Sequence, residues 1–341
     1  KFSDVTSVAM ERCLWSGGCE IRYTLDGSEP RADSPIYEAP FLLHKQTVVK
    51  ARLFDGPRPV GTITEANLQV HDTTPPAVLD IQALQVSPSI TVKFSEPLDK
   101  KSAETAANYQ VSGEAKVVSA VLAADQRSVT LTLSAPPAAE QFDLSIKGVR
   151  DLSPAGNAVS APALSVRCLR PILELEGVEL DGQGGGYQEV PLEGGAPPAS
   201  SPWTINVWLR LEQQPGDHAI IAGFGSCQDR GGTQRYLAKF PHGLHFWGSA
   251  IDLPSETPLE LGRWQMLTAT YDGSIVRLYK DARELASTKA VFAKAAPVAK
   301  LGPPPPWPHG HRVAGKVAGF TLWKSALSPE AVSALHAATE P

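Results

Sequence analysis

Charge is in short supply in this sequence and neither sign dominates it: 20% of the 341 residues are charged, 31 Lys and Arg against 36 Asp and Glu. The net charge of -5 offers no basic surface with which to neutralise phosphates, so nucleic acid is excluded as a partner. No stretch reaches the roughly 18 apolar residues that a bilayer-spanning helix needs. Cysteine is confined to Cys13, Cys19, Cys168 and Cys227, whose spacings make neither a CxxC metal clip nor a haem-attachment motif. Phosphate loops, GxSxG elbows, HExxH helices and dinucleotide-binding glycine patterns are missing from any sensible structural setting. Gly184, Gly185 and Gly186 are consecutive, but they form a turn with no helix behind it.

What the chain has in excess is proline and glycine, 30 and 28 residues. Average usage of proline is about 5%, and a proline inside a helix costs about 3 kcal/mol, which excludes a helical bundle or a doubly wound α/β enzyme. The dominant remaining signal is period-two alternation bounded by Asp-Gly or proline turns, the pattern of half-buried antiparallel strands. Val49, Ala51 and Leu53 alternate with Lys50 and Arg52 ahead of the Asp55-Gly56 turn. Ile90, Val92 and Phe94 share one face, as do Val129, Leu131 and Leu133. Thr73-Thr74-Pro75-Pro76 makes a stiff extended linker, and a second break falls near Cys168-Leu169-Arg170-Pro171. The expected fold is therefore all-β, with three consecutive antiparallel sandwiches over residues 1–72, 73–170 and 171–341. One helical turn is expected at 102–108. A C-terminal helix is expected after Ser328, which is placed to cap it with Pro329 in the first helical position.

Each block resembles a known family. Tyr23-Thr24-Leu25-Asp26-Gly27-Ser28-Glu29-Pro30, followed by Ser34-Pro35-Ile36-Tyr37 and Val49-Lys50-Ala51-Arg52, resembles the fibronectin-III-like domain at the C-terminus of chitobiases and β-hexosaminidases. The middle block resembles a bacterial immunoglobulin-like domain. It does so through Asp72-Thr73-Thr74-Pro75-Pro76, Phe94-Ser95-Glu96-Pro97-Leu98-Asp99, Ala107-Asn108-Tyr109 and Val149-Arg150-Asp151-Leu152 with Gly156-Asn157. The last block resembles the laminin-G-like branch of the concanavalin-A-like jelly rolls. Leu180-Asp181-Gly182, Trp203-Thr204-Ile205-Asn206-Val207-Trp208, Leu261-Gly262-Arg263-Trp264, Ala269-Thr270-Tyr271-Asp272-Gly273 and Gly315-Lys316-Val317-Ala318-Gly319-Phe320 carry that likeness. One departure is Asp281-Ala282, where the family turns with Asn-Gly. The resemblance implies core positions for Trp208, Trp264 and Trp323, and it makes calcium the metal to consider, with Asp181 and Asp272 as candidate oxygen donors. Both aspartates also explain themselves as Asp-Gly turn residues.

The jelly-roll superfamily includes glucanases, so paired carboxylates matter, since glycoside hydrolysis needs two of them about 5–10 Å apart. Glu174, Glu176 and Glu179 alternate with Leu173, Leu175 and Val178 and read as the solvent face of an edge strand. No catalytic residue is assigned. His242 with His245 and His309 with His311 are HxxH and HxH pairs without an evident partner ligand. Among the aromatics, Trp247 and Trp307 have no assigned core position, and Trp307 follows four prolines, Pro303 to Pro306. Such a loop either holds the indole out as a preorganised anchor or folds it back onto the sandwich. Trp307, Trp247, His309 and His311 are the candidate contact residues, with Trp15 a weaker one. Cys13 and Cys19 flank a short loop that a local disulfide would close, and such a bridge belongs outside the cytoplasm.

The sequence thus points to a non-catalytic extracytoplasmic interaction protein, periplasmic or at the cell surface, with no cofactor required beyond the calcium just considered. A chain that opens at Lys1 rather than methionine leads one to expect a processed leader or a longer chain upstream. The reading favours a structural subunit docked onto other proteins of a larger assembly, because three accessory modules stand with nothing to serve. The alternative is the carbohydrate-binding accessory region of a secreted glycan-degrading enzyme.

Overall fold

The computed structural model describes residues 2–3, 6–12, 17–43, 46–160, 162–226, 231–307 and 310–341. Nearly every element is a strand. Among the described residues, no helix is long and apolar enough to cross a membrane.

In the first block, Glu20–Thr24, Thr47–Asp55 and Arg58–Leu68 form an antiparallel three-stranded sheet, and Thr6–Val8 pairs with Phe41–Leu43 against it. Gly56 turns the Asp55–Arg58 hairpin at φ 56°, as the Asp-Gly dipeptide predicts. The core is small: Val8, Leu43 and Val49 with Met10, Phe41 and Leu68 packed on it. Phe54 is buried on the opposite face, beneath the Arg22 guanidinium at 5.9 Å.

The second block is a sandwich of a four-stranded sheet, Val117–Leu122, Ser128–Leu133, Ser89–Phe94 and Val78–Ala83 in that order, on a second sheet built around Gln141–Arg150. The expected alternation is realised. Ile90 faces Leu131 and Val92 faces Val129 across the ladder, and all four are fully buried. The helical turn is Lys100–Ala103, starting two positions earlier than expected, because Asp99 accepts from Ser102 N and caps it; a 3₁₀ turn, Ala106–Asn108, follows.

The third block stacks two six-stranded antiparallel sheets. One runs in the order Leu173–Asp181, Ala314–Trp323, Trp203–Leu211, Trp264–Tyr271, Ile275–Lys280, Arg283–Lys289. The other runs Gln188–Pro191, Val298–Leu301, Ala219–Phe224, Arg235–Phe240, Gly243–Trp247, Asp252–Pro254. Between them, Trp203 is wholly buried, its ring centroid 5.7 Å from those of Phe224, Phe246, Tyr271 and Phe292. Trp208 and Trp323 are core residues, as the resemblance implies, but of a second layer. Trp208 sits five positions after Trp203 and so faces the other side of the sheet. With Trp323 and Met266 it forms a separate layer beneath the C-terminal helix Pro329–Thr339, and Trp264 is only partly buried there. That helix begins as predicted, Ser328 Oγ accepting from Ala331 N.

The helix also ties two blocks together. Leu84 of the second block is 1% exposed within the layer that Leu327, Val332 and Leu335 close.

Candidate functional site

The outward face of the second six-stranded sheet is aromatic. Alternation turns Leu237, Leu244 and Phe246 into the core and leaves Tyr236, Ala238 and Phe240 of one strand, and His245 and Trp247 of the next, on the outside. The hairpin joining these strands is tight at Gly243, φ 126°, where an added Cβ would lie 2.3 Å from the Thr257 carbonyl oxygen. Phe240 and His245 therefore stack directly, 4.1 Å apart and 19° from parallel.

The proline-rich segment folds back across this face. Gly302 N donates to Ile221 O at 2.7 Å, which continues the ladder, and Pro303 is buried. Trp307 then comes to rest 4.8 Å from Trp247, 5.6 Å from Phe240 and 5.5 Å from His218, ring to ring, and stays half-buried. Of the two outcomes open for this loop, the structure shows the folded-back one. Trp247 requires a correction as a free contact residue. At 7% exposure it is the floor of the platform, covered by Trp307 and packed on Tyr236. What solvent reaches is Trp307, Phe240 and His218, all half-buried.

Polar groups lie along the same strands and the loops beside them. Lys239 Nζ donates to Asp217 Oδ1 at 2.7 Å, and this bond, aided by the nearby His218 and His311, holds the Asp217 carboxyl below the usual carboxylate range. His245 Nε2 lies 3.3 Å from Asp252 Oδ1. His311 is exposed with Nδ1 3.1 Å from the Asp217 carbonyl oxygen, while His242 is exposed at the hairpin tip. His309 lies outside the described residues, as do Trp15 and Cys13 of the expected Cys13–Cys19 bridge. Cys19 is half-buried and carries a free thiol, as does Cys168.

The calcium candidates occupy turns. Asp181 Oδ1 accepts from the backbone N–H groups of Gln183, Gly184 and Gly185 at 2.7–2.8 Å, which lowers its pKa. Asp272 Oδ1 accepts from Ser274 N and Ile275 N, and its Oδ2 takes the Arg277 guanidinium at 2.7 Å. Glu174, Glu176 and Glu179 are exposed on an edge strand, the setting foreseen for them.

A different acidic group went unnoticed in the sequence. Asp72, Glu96 and Asp151 bring carboxylate oxygens within 4.8 Å of one another at the entry to the second sandwich. Asp151 is buried and accepts from Ser153 N, Ser153 Oγ, Asn157 N and Asn157 Nδ2. Burial first, then the negative charges of Asp72 and Asp151, push the Glu96 carboxyl up. All three residues lie in the segments that carry the immunoglobulin-like resemblance, but nothing in those segments says that they meet.

The fold defines a modular chain of antiparallel β-sandwiches, ending in one of two stacked six-stranded sheets. The family comparisons agree, in chain order. Residues 15–66 match the family described as Fn3 associated, residues 65–165 the bacterial Ig-like domain, and residues 183–333 the concanavalin A-like lectin/glucanases superfamily. No curated protein matches the chain. Among solved structures, it is similar to domain 4 of a GH43 extracellular arabinanase from Geobacillus stearothermophilus, in complex with arabinotriose. Identity there is 22%, over 46% of this chain and 75% of that one, with a TM-score of 0.36. The CBM40 domain of a Ruminococcus gnavus IT-sialidase, bound to α2,3 sialyllactose, is 13% identical over 49% of this chain and 100% of its own, at TM-score 0.37. A Trypanosoma rangeli sialidase in complex with sialic acid is 12% identical over 86% and 58%, at TM-score 0.38.

Proposed function

We propose that this chain is a non-catalytic recognition unit working outside the cytoplasm, and that its third sandwich binds carbohydrate on the face capped by Trp307. The observation that carries this reading is the platform itself. Two half-buried rings, Trp307 and Phe240, are held from below by Trp247, Tyr236 and His245, so they lose little freedom when a ligand arrives. A sugar presents an apolar C–H face to such rings and hydroxyls at its edge. The His245–Asp252 pair, on the same face, offers a donor and acceptor at that edge.

Size favours a sugar over a protein at this particular face. An ordinary protein interface buries about 800 Å² per partner around several anchors, whereas the accessible rings here are few. Among the described residues, Asp217 is engaged by Lys239 and Asp252 by His245, which leaves no free carboxylate pair there for acid and nucleophile roles.

A glycan array probed with the full chain, followed by calorimetry on any hit, tests this. Saturable binding is expected, weakened at least about tenfold, or ~1.4 kcal/mol, in Trp307→Ala and in Phe240→Ala. Absence of any hit, or hits that both variants bind undiminished, overturns the reading.

A further inference from the structure

A second surface lies at the opposite end of the chain's organisation, between the first and second sandwiches. It is an open cleft of about 1390 Å³, larger than the roughly 300–1,000 Å³ that encloses a small molecule. Its walls are unusually apolar for a solvated surface. Leu25 and Leu42 of the first sandwich and Leu152 of the second are 43%, 60% and 53% exposed, and all three line it. Large exposed apolar side chains grouped on one surface mark an interaction site.

The floor is acidic. Asp72, Glu96 and Asp151 converge there, and Asp26 stands on the wall. Among the described residues, the lining sets one cation against these four carboxylates, Arg127, whose guanidinium donates to the Ser95 carbonyl. The described groups make the field in the cleft negative. Burial first, and then the charges of Asp72 and Asp151, hold the Glu96 carboxyl above the ordinary range even with Arg127 close by.

From this complementarity we infer that the cleft docks an extended segment of a partner protein in which a Lys or Arg is flanked by apolar residues. The cationic head reaches the Asp72–Glu96–Asp151 floor and the flanking side chains cover Leu25, Leu42 and Leu152. Arginine suits the floor best, since its planar fork can be shared among several carboxylate oxygens. This contact is independent of the Trp307 platform, so a chain holding a glycan at one end can hold a protein at the other.

A displayed random peptide library selected on the full chain tests the inference, with Glu96→Gln and Leu42→Ser as counter-targets. Leu42 is exposed and Glu96 is repelled by its neighbours, so both variants are expected to keep the fold, which thermal melts check. Enriched peptides should place Lys or Arg beside Leu, Ile, Val or Phe, and a synthetic copy should bind each variant about tenfold more weakly. Binding should also fall between about 0.1 M and about 1 M salt, as the Debye length shrinks from about 10 Å to about 3 Å. Enrichment without basic residues, or undiminished binding to both variants, overturns the inference. So does displacement of the peptide by millimolar CaCl₂, which would make the carboxylates a cation site instead.

Discussion

Gln82 holds the start of the C-terminal helix with both ends of its side-chain amide: Oε1 accepts from Ser328 N at 2.8 Å, and Nε2 donates to Ala326 O at 3.2 Å. The two partners are 246 and 244 residues away in the chain, so a residue of the second sandwich fixes the element that covers the third. Leu84, two positions on, is sealed in the same layer as Trp208, Trp323 and the helix. The expected consequence is that these two sandwiches unfold together. Leu84→Ala should cost about 2–5 kcal/mol and split a single calorimetric transition into two. A wild-type scan already showing independent transitions for the two blocks would contradict this coupling.

Trp247 and Trp307 touch, but substitution should separate their roles. Trp247 is 7% exposed over Tyr236, so Trp247→Ala opens a cavity and should cost about 3–5 kcal/mol in urea unfolding. Trp307 is half-buried on a loop. Its alanine variant should lose clearly less stability while losing glycan binding. Equal losses in the unfolding experiment would mean that Trp307 is a structural lid rather than a contact.

The strands, their faces and the three-part organisation are legible in the sequence because they rest on local signals. Ile90, Val92 and Phe94 alternate within one strand, and Ser328-Pro329 marks a helix start by itself. The candidate site is only half legible. That Trp307 is special follows from the prolines before it, but that Trp247 lies beneath it depends on a loop crossing a sheet face from some sixty residues away. The grouping of Asp72, Glu96 and Asp151 has the same character, a contact between strand ends and a linker that no periodicity encodes. That Trp208 belongs to a different layer from Trp203 is equally illegible: parity turns it to the other side of the sheet, and only the covering helix makes that side a core.

Glu96 gives the chain an unusual pH response. Its folded-state pKa is raised from the ordinary 4.5, so the folded chain binds this proton more tightly than the unfolded chain does. The stabilisation is complete below the unfolded value and is lost as pH climbs through the folded one. At neutral pH the ionised carboxylate faces Asp72 and Asp151 and works against the fold. Glu96→Gln should therefore raise the Tm of the second sandwich at pH 7 and leave it nearly unchanged near pH 4. A lower Tm at pH 7 would show that the three carboxylates are held by a bound cation in solution.

The hairpin at Asp281-Ala282 carries strain that one substitution should relieve. Its two turn residues have φ of 48° and 63°, the left-handed pair that a two-residue turn demands and that Asn-Gly adopts most readily. Asp281 has compensation for this: Oδ1 accepts from Met266 N at 2.9 Å and Oδ2 takes the Arg263 guanidinium. Ala282 has none from a hydrogen bond of its side chain, and an L-residue with a Cβ in this region costs roughly 1–2 kcal/mol. Its methyl does pack lightly on the layer beneath the helix, and glycine adds freedom to the unfolded chain worth about 0.4–1 kcal/mol. The balance predicts that Ala282→Gly stabilises the third sandwich by up to about 1 kcal/mol, read as a shift in urea midpoint at constant slope. Asp281→Ala should do the reverse and by more, because it keeps the left-handed backbone while removing both bonds that hold it. If Ala282→Gly instead lowers the midpoint, the packing of that methyl outweighs the strain, and the departure from Asn-Gly is a gain for the fold.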